Sequence, residues 1–314
     1  MITEDYPKDF QEFIARFQTE ENCLSYLYSM RWPNGFFCPK CKSIGFSITK
    51  RKLYECNDCG KQTSLTAGTI FQGTRKRLLL WFHVIWWVAV QKTGVSASNF
   101  QDFMGFGSYE TAWAWLHKLR RVMNRPTRDK LKGTVEVDET FIGGEESGKK
   151  TDGKNKTGRG SIEKMIVVVA TECNGKQIER VRFKIIDSAT SKNLMKFIED
   201  NIDFGSNIIT DGWSGYSPLS ESKNYNHEKK IILGSKMDAH ELLPHVHMVD
   251  SLLKRWILGT HQGRISSKHL EYYLDEYAFR FNRKSSKHRG KIFFRLIQQA
   301  VVTPPNSLKK IVAN

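Results

Sequence analysis

At 314 residues the chain is long enough for a full core and for two or three domains. Its formal net charge of +16, from 49 Lys and Arg against 33 Asp and Glu, points to a polyanionic partner, most often nucleic acid. The most apolar run, Leu78–Val90, is too short to span a bilayer, and the opening Met1-Ile2-Thr3-Glu4-Asp5-Tyr6-Pro7 lacks the regions of a secretion signal. The expectation is a cytoplasmic protein with no membrane partner.

Residues 1–30 carry Phe10, Phe13, Ile14, Phe17, Leu24 and Tyr26 at helical spacing, which predicts two short helices. Cys38-Pro39-Lys40-Cys41 and Cys56-Asn57-Asp58-Cys59 follow, separated by fourteen residues, with a β-hairpin expected over Ile44–Tyr54. Cys23 and Cys173 stand apart, so the six cysteines read as metal ligands rather than disulfides. Four thiolates make a closed tetrahedral set, which suits a structural zinc ion and leaves no open position for catalysis. The lysines and arginine around this ribbon (residues 31–66) lean toward DNA.

A region expected over 67–130 begins with the apolar helix Leu78–Trp87, where His83 reads as a core residue. Ser96 and Ser108 are natural N-caps for two further helices, the second running to Met123. Their proportions are those of a helix-turn-helix. The basic stretch behind them, with Arg120, Arg121, Arg125 and Arg128, offers phosphate contacts.

Val135, Val137 and Phe141 then alternate with polar residues, the period of a half-buried strand. Asp138 breaks the pattern, and a charge in that setting needs a counter-charge or a cation. A polar loop is expected over 143–160, strands over Met165–Ala170 and Gln177–Ile186, a helix over Asn193–Ile202 and a fourth strand over Asn207–Thr210 ending at Asp211. Carboxylates on the first and fourth strands of this order resemble the ribonuclease H-like architecture, in which two such acids share metal ions. Pro244 opens a helix on which His247, Asp250 and Lys254 share one face, so His247 and Asp250 are both candidate ligands and Lys254 can reach a phosphate beside them. The chain from Ile265 to Val302 reads as helical, with Glu276 as a salt-bridge partner.

Together these motifs resemble the ISXO-type insertion-sequence transposases of bacteria, which join a zinc ribbon to a DDE-type catalytic domain. The likeness rests on the two cysteine pairs, Gly94-Val95-Ser96-Ala97, Thr111-Ala112-Trp113, Val137-Asp138-Glu139-Thr140-Phe141-Ile142-Gly143-Gly144, Thr210-Asp211-Gly212-Trp213-Ser214-Gly215-Tyr216, Leu258-Gly259-Thr260-His261 and Phe279-Arg280-Phe281-Asn282-Arg283. It implies an α+β multi-domain protein: helices over 1–30, the ribbon, the helix-turn-helix region, a ribonuclease H-like mixed sheet flanked by helices over 131–290, and a C-terminal helix and tail over 291–314.

The resemblance also implies Asp138 and Asp211 as the first two catalytic acids. The family's third position, seven residues before a Lys-Arg pair, falls on His247, ahead of Lys254 and Arg255. Two ions, Mg²⁺ or Mn²⁺, would be held there, Asp138 bridging both, Asp211 binding one and His247 completing the other, and Lys254 and Arg255 would meet DNA phosphates. The implied partners are double-stranded DNA, as terminal inverted repeats and target, and a second protomer on that DNA. A regulator derived from an inactive transposase and a structure-specific nuclease are the rival readings, separated from the first by cleavage and strand-transfer assays.

Overall fold

A computed structural model describes residues 4–125, 128–143, 164–231, 239–262 and 265–313. The first helices are α1 (Phe10–Arg16) and α2 (Glu20–Arg31). Asp9 caps α1 by accepting from Glu12 N, and Thr19 with Asn22 forms a reciprocal capping box on α2. The ribbon is a three-stranded antiparallel sheet of β1 (Phe46–Ile48), β2 (Tyr54–Cys56) and β3 (Gln62–Thr63). The expected hairpin is present, with one further strand.

Helices α3 (Leu78–Val90), α4 (Ala97–Met104) and α5 (Tyr109–Met123) follow. Glu20 of α2 caps α3, accepting from Leu78 N at 2.8 Å and Leu79 N at 3.0 Å. Ser96 and Ser108 cap α4 and α5 as their sequence context predicts, and Gly105 ends α4 in the left-handed conformation. The Trp81 and Trp115 rings stack at 3.6 Å between α3 and α5.

A five-stranded mixed sheet comes next, built from β4 (Thr134–Ile142), β5 (Met165–Asn174), β6 (Gln177–Ile186), β7 (Asn207–Asp211) and β8 (Asn226–Lys230) in the order β6-β5-β4-β7-β8. β4, β5 and β6 pair antiparallel, whereas β7 and β8 continue the sheet parallel to β4. The loop expected over 143–160 lies, from residue 144 on, outside the described residues. Helix α6 (Ser191–Asn201) and the short α7 (Ser217–Glu221) cover one face, where Leu194, Phe197 and Leu219 meet Val135, Val137 and Ile208. The other face carries α8 (Ala239–Leu242), α9 (Pro244–His261) and α10 (Leu270–Phe281), with Val249, Leu253 and Leu274 against Val167, Val169 and Val181.

The helical stretch expected over 265–302 divides: α10 ends at Phe281 and α11 (Arg289–Ala300) begins after a break, followed by α12 (Leu308–Ala313). The chain accordingly forms two units, Met1–Arg125 with Ser285–Asn314, and Pro126–Lys284. In the first unit Phe293 of α11 packs among Phe13, Phe17, Tyr26, Phe82 and Trp86. Gly290 lets α11 approach so closely that a Cβ there would stand 1.5 Å from the Pro7 carbonyl oxygen.

Glu276 is buried on α10 and pairs with Arg280 at 2.7 Å, as its spacing suggests. Asn282, just past α10, stitches the helix to edge strand β6. Its Oδ1 accepts from Val181 N at 2.7 Å and its Nδ2 donates to Val181 O at 3.1 Å. Replacing Asn282 with Ala strands both backbone groups, so Asn282→Ala should destabilise the second unit by about 1–3 kcal/mol. The check is denaturant unfolding together with faster hydrogen exchange at the Val181 amide.

Candidate active site

The first carboxylate is placed by strand alternation. Val135 and Val137 point toward α6, so Glu136, Asp138 and Thr140 point the opposite way, toward α9. The parallel register pairs Glu136 with Ile209; two residues further along each strand stand Asp138 and Asp211. The acids therefore occupy matching positions on neighbouring strands. Asp211 begins a turn, its Oδ1 accepting from Trp213 N at 3.0 Å.

Asp138 is mostly buried. Burial pushes its carboxyl up to about 7, against one backbone hydrogen bond from Glu139 N, and the charges of Glu139, Asp211 and Asp250 raise it further. Across from it on α9, His247 Nε2 lies 3.7 Å from Asp138 Oδ2. That is too long for a hydrogen bond, yet two donors each ~2.1 Å from one ion can stand up to ~4.2 Å apart. A buried acid with a raised protonation range, an imidazole opposite and a second acid on the next strand fit a divalent cation.

One turn beyond His247, Asp250 accepts from Thr140 Oγ1 at 2.6 Å and from Lys254 Nζ at 2.9 Å. Lys254 is half-exposed at the mouth of a cleft of about 150 Å³ that Asp138, Thr140, His247 and Asp250 line with it. Among the described residues, two sets of donors lie within 4.8 Å of one another: the four ribbon cysteines, and Glu136, Cys173 and His245. Asp138, Asp211 and His247 belong to neither. The second set could hold a metal on composition alone, and sequence reading did not single it out, because its members are scattered over β4, β5 and α9.

In the ribbon, Cys38 and Cys59 Sγ are 3.6 Å apart and Cys41 and Cys56 Sγ 3.5 Å apart. Four thiolates at ~2.3 Å from one zinc ion stand ~3.8 Å apart, so the cluster fits structural zinc. The two knuckles have the same backbone. Lys42 N donates to Cys38 O and Gly60 N to Cys56 O, with both donor residues at left-handed φ of 66° and 65°. The backbone N–H groups of Cys41 and Lys40 pull the Cys38 thiol down to about 6, favouring the thiolate a metal needs.

The basic residues divide. Arg121, Arg125 and Arg255 are exposed, and Arg128 is half-buried with the Asp275 charge near it. Arg120, expected at phosphates, is instead 2% exposed and donates to the Val95 carbonyl at 3.2 Å. It falls on the buried stripe of α5 with Leu116 and Met123, and that packing takes it away from DNA.

The raised Asp138 carboxyl has a consequence for stability. In the fold it stays neutral below about pH 7, and below about pH 4 the unfolded chain holds the proton as well. As pH rises from the ordinary 3.8 through about 7, the unfolded chain releases the proton first and the buried acid burdens the fold. Asp138→Asn should therefore stabilise the protein at pH 8 without divalent ion, on the order of 2–4 kcal/mol, and do little at pH 4. Thermal unfolding at the two pH values checks this; a destabilised variant at pH 8 would contradict it.

Comparison with known families agrees with this architecture. Residues 130–282 match the ISXO2-like transposase domain and residues 18–62 the transposase zinc-ribbon domain. The chain is also 25% identical, over 92% of its own length and 99% of the relative's, to an uncharacterized protein in transposable element ISH50 of Halobacterium salinarum. No helix among the described residues is long and apolar enough to cross a membrane. With the ribbon ahead of a mixed sheet that bears the family's transposase signature, the chain belongs to the ISXO2-like insertion-sequence transposases.

Proposed function

We propose that this protein cleaves DNA at the ends of an insertion sequence and joins the freed ends to target DNA. The observation that carries the reading is the matched placement of Asp138 and Asp211 on adjacent parallel strands with His247 opposite, in a domain of transposase type. Mg²⁺ or Mn²⁺ held by Asp138, Asp211 and His247 would supply Lewis-acid activation of water or a 3′ hydroxyl and stabilise the leaving oxygen. Imidazole among the ligands suits Mn²⁺ better than Mg²⁺.

The protein's own groups do the rest. Asp138 in the cleft and Asp211 on the neighbouring strand bring negative charge together and would fix where a cation and the scissile phosphate meet. Lys254, anchored by Asp250 at 2.9 Å, presents its ammonium at the mouth of the cleft for a neighbouring phosphate. Arg255, one residue on, is exposed for a backbone contact. The zinc ribbon, the α4–α5 helix pair and exposed Arg121 and Arg125 grip the terminal repeats, with Arg128 at the start of the catalytic unit. Bringing two ends together requires at least two protomers on the DNA.

The test incubates labelled DNA bearing the element's ends with the full chain in Mg²⁺ and in Mn²⁺. Cleavage and joining are expected from the wild type, more strongly in Mn²⁺. Both should fall by at least about a hundredfold in Asp138→Ala and in His247→Ala, with end binding retained. Specific binding without cleavage in either metal would overturn the reading in favour of a regulator. Cleavage without joining would point to a nuclease.

A further inference from the structure

The geometry points to Glu136 as a positioning residue that sets the spacing between Asp138 and His247 by capping α9 from across the sheet; this rests on the functional reading above. Helix α9 begins at Pro244 with Leu243 before it, and no side chain of its own caps it. Its free N–H groups need an acceptor. Glu136, 109 residues earlier on β4 and 4% exposed, provides one. Its Oε2 accepts from His245 N at 2.9 Å and Val246 N at 2.8 Å, and its Oε1 from His245 Nδ1 at 2.6 Å. A buried carboxylate with three donors at a helix N-terminus is both satisfied and favoured by the helix dipole.

The strand and helix then run in step. Glu136 meets residues 245 and 246, Asp138 faces His247 at 3.7 Å, and Thr140 donates to Asp250 at 2.6 Å. Alternate residues of one strand face are thus matched to successive positions of α9, with a hydrogen-bonded contact on each side of the Asp138–His247 pair. A shift of α9 along β4 could not move His247 without also breaking the hydrogen-bonded contacts on either side of it, so those contacts hold the imidazole where it stands.

The same carboxylate belongs to the donor trio with Cys173 and His245. Both of its oxygens are already engaged, however, and Cys173 Sγ donates to Thr171 O at 3.2 Å. An ion there would have to displace the cap and the His245 contact. The hydrogen-bonded pin accounts for the cluster without doing so.

The test measures Mn²⁺ binding to the zinc-loaded full chain by titration calorimetry for wild type, Glu136→Gln and Phe197→Leu, the last a core change on the opposite sheet face. Gln keeps the shape and one acceptor but loses the charge and the second acceptor. Glu136→Gln is expected to weaken Mn²⁺ by about tenfold or more, the usual effect of losing a group that orients a ligand, with affinity for end DNA unchanged. Phe197→Leu should lower the unfolding temperature without altering Mn²⁺ affinity. If Glu136→Gln does not fold, His245→Asn, which keeps both backbone donors and removes the imidazole, carries the comparison with a shift of the same direction. Wild-type-like Mn²⁺ affinity in a folded Glu136→Gln chain overturns the inference alone; a wild type that neither binds Mn²⁺ nor cuts DNA removes the functional reading and this inference with it.

Discussion

Placing carboxylates on the inner face of a buried strand is the constraint around which the catalytic unit is arranged. Glu136 and Asp138 both leave water for the narrow space between β4 and α9, and an ionised carboxylate there is tolerated only with donors or a cation. The protein answers the two cases differently. Glu136 receives three protein donors and becomes part of the scaffold. Asp138 receives one backbone hydrogen bond, faces further negative charge, and is left with a carboxyl held near 7. Two acids two residues apart on one strand are thus divided into a structural group and one whose charge the protein's own donors leave largely uncompensated.

The first unit solves a different problem. A ribbon of three short strands has too little core to hold itself together, and four thiolates on one ion supply what its packing does not. The helices around it draw on an aromatic cluster that includes Phe293 from near the chain's end, so the last thirty residues complete the unit that the first residues begin. Gly290 marks where that return is tightest.

Much of this was legible in the sequence because it depends on local signals. The alternation through Val135, Val137 and Phe141, the serine caps on α4 and α5, the cysteine pairs and the helical spacing of His247, Asp250 and Lys254 all concern residues within a few positions of one another. What was not legible depends on distance along the chain. Glu136 read as one more polar position of a strand, since its partners lie on a helix over a hundred residues later. Strand β8, Asn226-His227-Glu228-Lys229-Lys230, has no apolar alternation and exists because it pairs with β7 at the sheet's edge. Arg120 read as a surface charge from composition, although its place on the apolar stripe of α5 already pointed inward.

The proposed chemistry needs Asp138, Asp211 and His247 to be the ligands of the catalytic cations. Anomalous diffraction from crystals of the full chain on its terminal DNA, grown in Mn²⁺, tests it most directly. Anomalous density ligated by both carboxylates and by the His247 imidazole is expected. A peak held by Asp250 in place of His247, or one seated among Glu136, Cys173 and His245, would contradict it.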